Sequence, residues 1–125
     1  MVLVDTPVWV RFLANRPPYA QELDRLLAFE GVVGHELVYG ELLIGDIGGR
    51  RKFLSFYEGF LQARTISHPE VADFVCYRKL HGRGIGWVDA HLLASALLER
   101  LTLWTVDARL AAIAAELGIA YAGSG

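Results

Sequence analysis

Val2-Leu3-Val4-Asp5-Thr6-Pro7 opens the chain. Three apolar residues are too few for a helix, whereas Thr6 and Pro7 supply an N-cap and a first helical residue, so a short buried strand is expected to hand over to a helix. The same hand-over recurs near the other end. Leu101 to Val106 mixes β-branched and aromatic residues as a buried strand does, and Asp107 to Leu117 is an Ala-rich helix. Working inward, the apolar spacing predicts helices over Val8–Ala14, Tyr19–Phe29, Glu36–Asp46, Arg50–Ala63, Glu70–Leu80 and Val88–Arg100. Gly31-Val32-Val33-Gly34 reads as a tiny strand, Arg64 to Ser67 as a weak one, and Ile119 to Ala122 as the last. Gly48-Gly49 breaks two helices, and His81 to Gly86 is a loop. Strands alternating with helices imply an α/β fold: a three-layer sandwich whose central, mostly parallel sheet has about 4–5 short strands and helices on both faces.

The chain's 125 residues suit one domain, 1–125, with Gly123-Ser124-Gly125 as a flexible tail. A chain that is 54% hydrophobic and 21% charged is not disordered. The longest run free of Asp, Glu, Lys and Arg is nine residues, too short to span a bilayer. The start Met1 to Asp5 has no basic segment ahead of an apolar one, and a single cysteine allows neither an internal disulfide nor a Cys/His metal cluster. Both features fit the cytoplasm. A net charge of −2 excludes a polybasic binder, so contact with nucleic acid must come from clustered arginines.

The anomaly is acids in apolar settings. Asp5 and Asp107 each follow a predicted strand, and in parallel neighbours both would emerge at the C-terminal sheet edge where open α/β sheets bind ligands. Glu41, with Leu37 and Ile44 at helical offsets, and Asp89, with Leu92, Leu93 and Ala96, each read as lying on an inward-looking stripe. Taken singly, the aspartates could merely cap helices. Taken together, four carboxylates about 5 Å apart would repel by roughly 3 kcal/mol per pair. A chain with only two lysines answers that best with a hard divalent cation. Oxygen donors without a Cys or His cluster select Mg²⁺ or Mn²⁺, ions that serve phosphate chemistry by activating water.

Four pieces carry a family resemblance: Val2-Leu-Val-Asp5-Thr-Pro-Val-Trp9, Glu41-Leu-Leu-Ile-Gly45, Trp87-Val-Asp89-Ala-His-Leu-Leu-Ala-Ser-Ala96, and Leu103-Trp-Thr105-Val-Asp107. In this order, across essentially the whole chain, they resemble the PIN domain, specifically the VapC-type toxins of prokaryotic toxin–antitoxin pairs. The resemblance implies a Mg²⁺- or Mn²⁺-dependent endoribonuclease with Asp5, Glu41, Asp89 and Asp107 on the family's acidic positions. Asp5, Asp89 and Asp107 would bind the metal, and Glu41 a water or second ion. It also implies an RNA substrate, a homodimer and a small VapB-type antitoxin as partner. Thr6 and Thr105 fall where hydroxyls orient a carboxylate or water. Pro7 departs from the family's usual small polar residue. Glu36 competes with Glu41, but the Glu-Leu-Leu-x-Gly pattern favours Glu41.

Candidate RNA contacts are Arg50, Arg51 and Lys52, the densest basic cluster, with Arg83 in the Gly-rich loop and Arg109 just after Asp107. His91 should face away from Asp89 and pack. Trp9, Trp87 and Trp104 read as core or dimer contacts, and Cys76 as a small buried residue. Gly82-x-Gly84-x-Gly86 lacks the preceding strand of a dinucleotide fingerprint. A phosphoacceptor receiver domain would need an acidic pair and a late lysine that are missing here, and a structure-selective DNA nuclease would need extra helices. The alternative that stands is a PIN-like RNA- or protein-binding module without nuclease activity.

Overall fold

In the computed structural model, residues 1–46 and 49–122 are described. The expected 123–125 tail and Gly48 of the glycine break lie outside them. Among the described residues the order is β1 (Val2–Val4), α1 (Thr6–Leu13), α2 (Tyr19–Ala28), β2 (Val32–Val33), α3 (Glu36–Ile44), α4 (Arg51–Glu58), α5 (His68–Tyr77), α6 (Trp87–Glu99), β3 (Thr102–Trp104) and α7 (Ala108–Glu116). The α/β sandwich is as expected. Its sheet is parallel in the order β2-β1-β3, with Val2 beside Val32 and Thr102, and Val4 beside Trp104. Val2, Leu3 and Val4 are all buried, as a central strand covered on both faces requires.

Each sheet edge is extended by one isolated parallel bridge, Gly34 to Gln62 and Leu103 to Ala120. The expected last strand, Ile119 to Ala122, is thus a single bridge at Ala120, held by Leu103 N–H donating to Ile119 O and Tyr121 N–H to Leu103 O. The expected strand at Arg64 to Ser67 is displaced. Helix α4 stops at Glu58 and caps on Gly59 instead of running to Ala63, so the chain pairs with Gly34 earlier, through Leu61 O and Ala63 N.

Other helix ends shift by a few residues for one local reason. Asn15, Glu30, Lys79 and Arg100 adopt positive φ of 53 to 57° directly after α1, α2, α5 and α6 or one residue later. At Asn15 the reversal is a complete Schellman closure, with Asn15 N–H donating to Phe12 O and Arg16 N–H to Arg11 O. Lys79 does the same for α5 and buries Leu80 against the core. At the start of α5 the N-cap Ser67 accepts through Oγ from Glu70 N and donates its hydroxyl to Glu70 Oε1. Cys76 is exposed, not buried, because α5 buries Val71 and turns its Cys76 side to solvent.

Candidate active site

The strand ends place the first two acids. Asp5 N–H donates to Trp104 O across β1 and β3, so Asp5 and Thr105 leave the sheet side by side. Asp5, not Thr6, is the N-cap of α1: its Oδ1 accepts from Thr6 N at 2.8 Å. Its Oδ2 accepts from Thr105 Oγ, also at 2.8 Å. Thr105 Oγ in turn accepts from Asp107 N at 3.1 Å, and Asp107 Oδ1 caps α7 through Arg109 N and Leu110 N.

Released from capping, Thr6 has its hydroxyl free, and it donates to Glu41 Oε1 of α3 at 2.6 Å. Two threonines therefore lace three acids drawn from distant parts of the chain. Asp89 is held separately, its Oδ2 accepting from Gly86 N at the start of α6. Because every tether occupies only part of a carboxylate's lone-pair capacity, capping and ligand binding do not compete here.

These groups line one cleft of about 600 Å³, which Asp5, Thr6, Glu41, Asp89 and Asp107 share with Pro7, Val10, Arg11, Ala14 and Arg16. Only Asp5 is buried, at 4% exposure. Burial raises its pKa to about 6; the Thr105 hydroxyl and Thr6 amide pull it down, and the charges of Asp89 and Glu41 push it further up. Glu41 does not sit on an inward apolar stripe as expected. The buried stripe of α3 is Val38 and Leu42, whereas Glu41 lies on an exposed face with Ile44.

The donor set fits a hard divalent cation: oxygen ligands only, around a buried carboxylate whose charge is opposed by its surroundings. Among the described residues no Lys or Arg forms an ion pair with any of the four acids. Equally, no three acidic, His or Cys side chains among them are drawn close enough together to hold a metal ion as they stand. The acids are tethered to amides and hydroxyls around a trough.

The basic residues expected to meet RNA are not among the residues that line the cleft. Arg50 donates to Leu42 O at the end of α3, Arg51 and Lys52 are exposed on α4, and Arg83 is held bidentately by Glu116. Arg109 packs over Gly84, where an added Cβ would meet its Nη1 at 2.6 Å and where φ is +84°. The positive φ is what requires glycine there, since the Arg109 side chain can move aside. The cations that do line the cleft are Arg11 and Arg16; the sequence signal for Arg11 is the helical spacing Pro7, Val10, Arg11 on α1, continued by its C-cap Ala14, whereas Arg16 lies beyond the helix and carries no such signal. His91 and Glu36 are not among the cleft's lining residues, and His91 is buried against Trp87.

With this geometry in place, the chain matches the PIN domain model over residues 2–116. It belongs to the PIN domain family. Within it, the chain is 43% identical over 123 residues to Ribonuclease VapC32 of Mycobacterium tuberculosis, both from strain CDC 1551 / Oshkosh and from strain ATCC 25618 / H37Rv. That alignment covers 98% of this chain and 97% of the relative. The crystal structure of FitAcB from Neisseria gonorrhoeae has the same fold, with a TM-score of 0.68 and 25% identity over 96% of this chain and 95% of that one. The likeness of this PIN chain is thus to a VapC ribonuclease, and it spans 97% of that relative's length.

Proposed function

We propose that this PIN domain, 1–125, is a metal-dependent endoribonuclease, the toxin of a VapBC-type pair, acting in the cytoplasm as a homodimer and restrained by a small VapB-type antitoxin. One observation carries the reading: Asp5, Glu41, Asp89 and Asp107, spread over the chain, line a single cleft at the C-terminal edge of the parallel sheet. The full-length likeness to a protein named a ribonuclease supports it. No helix is long and apolar enough to cross a membrane among the described residues.

In this reading Asp5, Asp89 and Asp107 hold a divalent cation of the Mg²⁺ or Mn²⁺ class, which when bound supplies charge to the phosphate and lowers the pKa of a water. Asp5 is fixed from both sides by Thr6 N–H and Thr105 O–H, so its carboxylate cannot rotate away when the cleft fills. Glu41, steadied by the Thr6 hydroxyl, orients the attacking water. No histidine lines the cleft among the described residues, and buried His35 is held neutral by desolvation, its pKa lowered to about 4. The described lining of the cleft therefore presents no imidazole to activate an RNA 2′-hydroxyl, and the expected ends are 5′-phosphate and 3′-hydroxyl. Incubation of the purified chain with total RNA, with and without EDTA, tests this. EDTA-sensitive cleavage leaving those ends supports it, and 2′,3′-cyclic phosphates contradict it. Calorimetric titration with Mn²⁺ separates it from a binding module, which would take up no ion at millimolar concentration.

A further inference from the structure

The cleft carries both signs of charge. Arg11 and Arg16 line it together with the four acids, and α1, which starts at its N-cap Asp5, carries Pro7, Val10, Arg11 and the C-cap Ala14 progressively away from that acid. A guanidinium sharing a cleft with four carboxylates would ordinarily collapse onto one of them, yet Arg11 forms no ion pair among the described residues. Something else holds it. Its guanidinium lies 5.0 Å from the Tyr19 ring centroid, and Nη1 donates to Tyr19 Oη at 3.0 Å. Tyr19 stacks on Trp104, which packs on Tyr121, whose hydroxyl accepts from Arg25. This ladder of half-buried rings starts on β3, the strand that delivers Thr105 and Asp107. The Schellman closure at Asn15 turns the chain so that Arg16 returns to the same trough.

We propose that Arg11, seconded by Arg16, is a phosphate clamp that seats the RNA backbone next to the phosphodiester at the acids, with the apolar lining of Pro7, Val10 and Ala14 against the intervening nucleoside. The inference rests on the ribonuclease reading of the cleft. A chain of phosphates is the ligand that matches both signs: one phosphate is neutralised at the acids by the bound cation, and its neighbour meets a guanidinium fork aligned before binding. Because the Tyr19 face and hydroxyl fix Arg11, little side-chain entropy is lost when the phosphate arrives.

The test is steady-state cleavage of a single-stranded RNA of about a dozen nucleotides by the wild-type chain and by Arg11→Gln, Arg11→Lys, Arg16→Gln and Tyr19→Phe, with Mn²⁺ calorimetry on each. Arg11→Gln should raise KM roughly tenfold, as expected when one charge-assisted hydrogen bond is removed, with kcat within about twofold. It should also flatten the salt dependence of kcat/KM by about 0.7 for each phosphate that is no longer neutralised. Arg11→Lys should recover part of the deficit, Tyr19→Phe and Arg16→Gln should show smaller ones, and Mn²⁺ affinity should hold throughout. An unchanged KM and salt slope for Arg11→Gln overturns the clamp, as does a fall confined to kcat or to Mn²⁺ affinity. If the wild-type chain itself leaves RNA intact, it is the ribonuclease reading that fails.

Discussion

Helix α1 presents two faces with opposite tasks. Val8 and Trp9 are fully buried, and Trp9 sits among Phe12, Phe53, Tyr57 and Phe60 with ring centroids 5.2 to 5.8 Å away. Across the same helix, Pro7, Val10, Arg11 and Ala14 line the acidic cleft. One face anchors the helix and the other depends on that anchor, since Thr6, on the first turn, bonds Asp5 and Glu41 together. The contrast teaches that stability and chemistry are separable here by direction around an axis, at spacings of one or two residues.

The largest effect should come from the cleft. Asp89→Asn keeps size and shape and should lower RNA cleavage about a thousandfold or more, with melting temperature nearly unchanged. Retained activity in a clean preparation would remove Asp89 from the site. The aromatic face should behave inversely. Trp9→Ala opens a cavity among the surrounding rings and should cost about 3–5 kcal/mol of stability in denaturant unfolding, while activity per folded molecule survives. Equal loss of activity and stability in both variants would break the distinction between the faces.

A third prediction sets the cleft against the core through pH. The folded-state pKa of Asp5 is raised to about 6, so its burial as an anion costs stability at neutral pH, and the folded state gains as pH falls from about 6 toward its ordinary 3.8. Buried His35 has its pKa lowered from 6.5 to about 4, so protonation favours the unfolded chain and the folded state loses over nearly the same window. The two are of opposite sign and similar size, about 3 kcal/mol each. Asp5→Asn removes only the first. It should be more stable than wild type at pH 7, inactive, and newly acid-sensitive between pH 6.5 and 4. A wild-type stability that already falls steeply there would show that the two do not offset.

How much of this was legible in the sequence depends on what each signal must compete with. Val2-Leu3-Val4-Asp5 and Thr105-Val106-Asp107 could be read because a strand end followed by an acid is local, and the structure brings both acids and Thr105 together. Helix ends were less readable because Glu30, Lys79 and Arg100 take a left-handed conformation usually marked by glycine. Arg11 was hidden for a different reason. Its place at the cleft depends on a Tyr19 interaction made after a chain reversal, whereas the conspicuous run Arg50 to Lys52 starts a helix away from the acids. Glu41 was recognised by pattern although it is exposed, as is Ile44, expected to share an inward stripe with it.

The smallest effect tests the lacing itself. Thr105 uses its hydroxyl twice, donating to Asp5 Oδ2 and accepting from Asp107 N. Thr105→Val keeps the β-branched shape but removes both bonds, at about 1 kcal/mol of stability. Because the Thr105 bond lowers the Asp5 pKa, its loss should move that pKa further up from about 6. The acid limb of the pH–activity profile should therefore shift to higher pH, by less than about one unit, and Thr105→Ser, which restores the hydroxyl, should return it. The matching change on the α1 side, Thr6→Val, leaves the Asp5 amide bond in place and cuts only the tie to Glu41. It should lower activity without moving that limb. Identical pH profiles for Thr105→Val and wild type would mean that Asp5 is oriented by its N-cap bond alone.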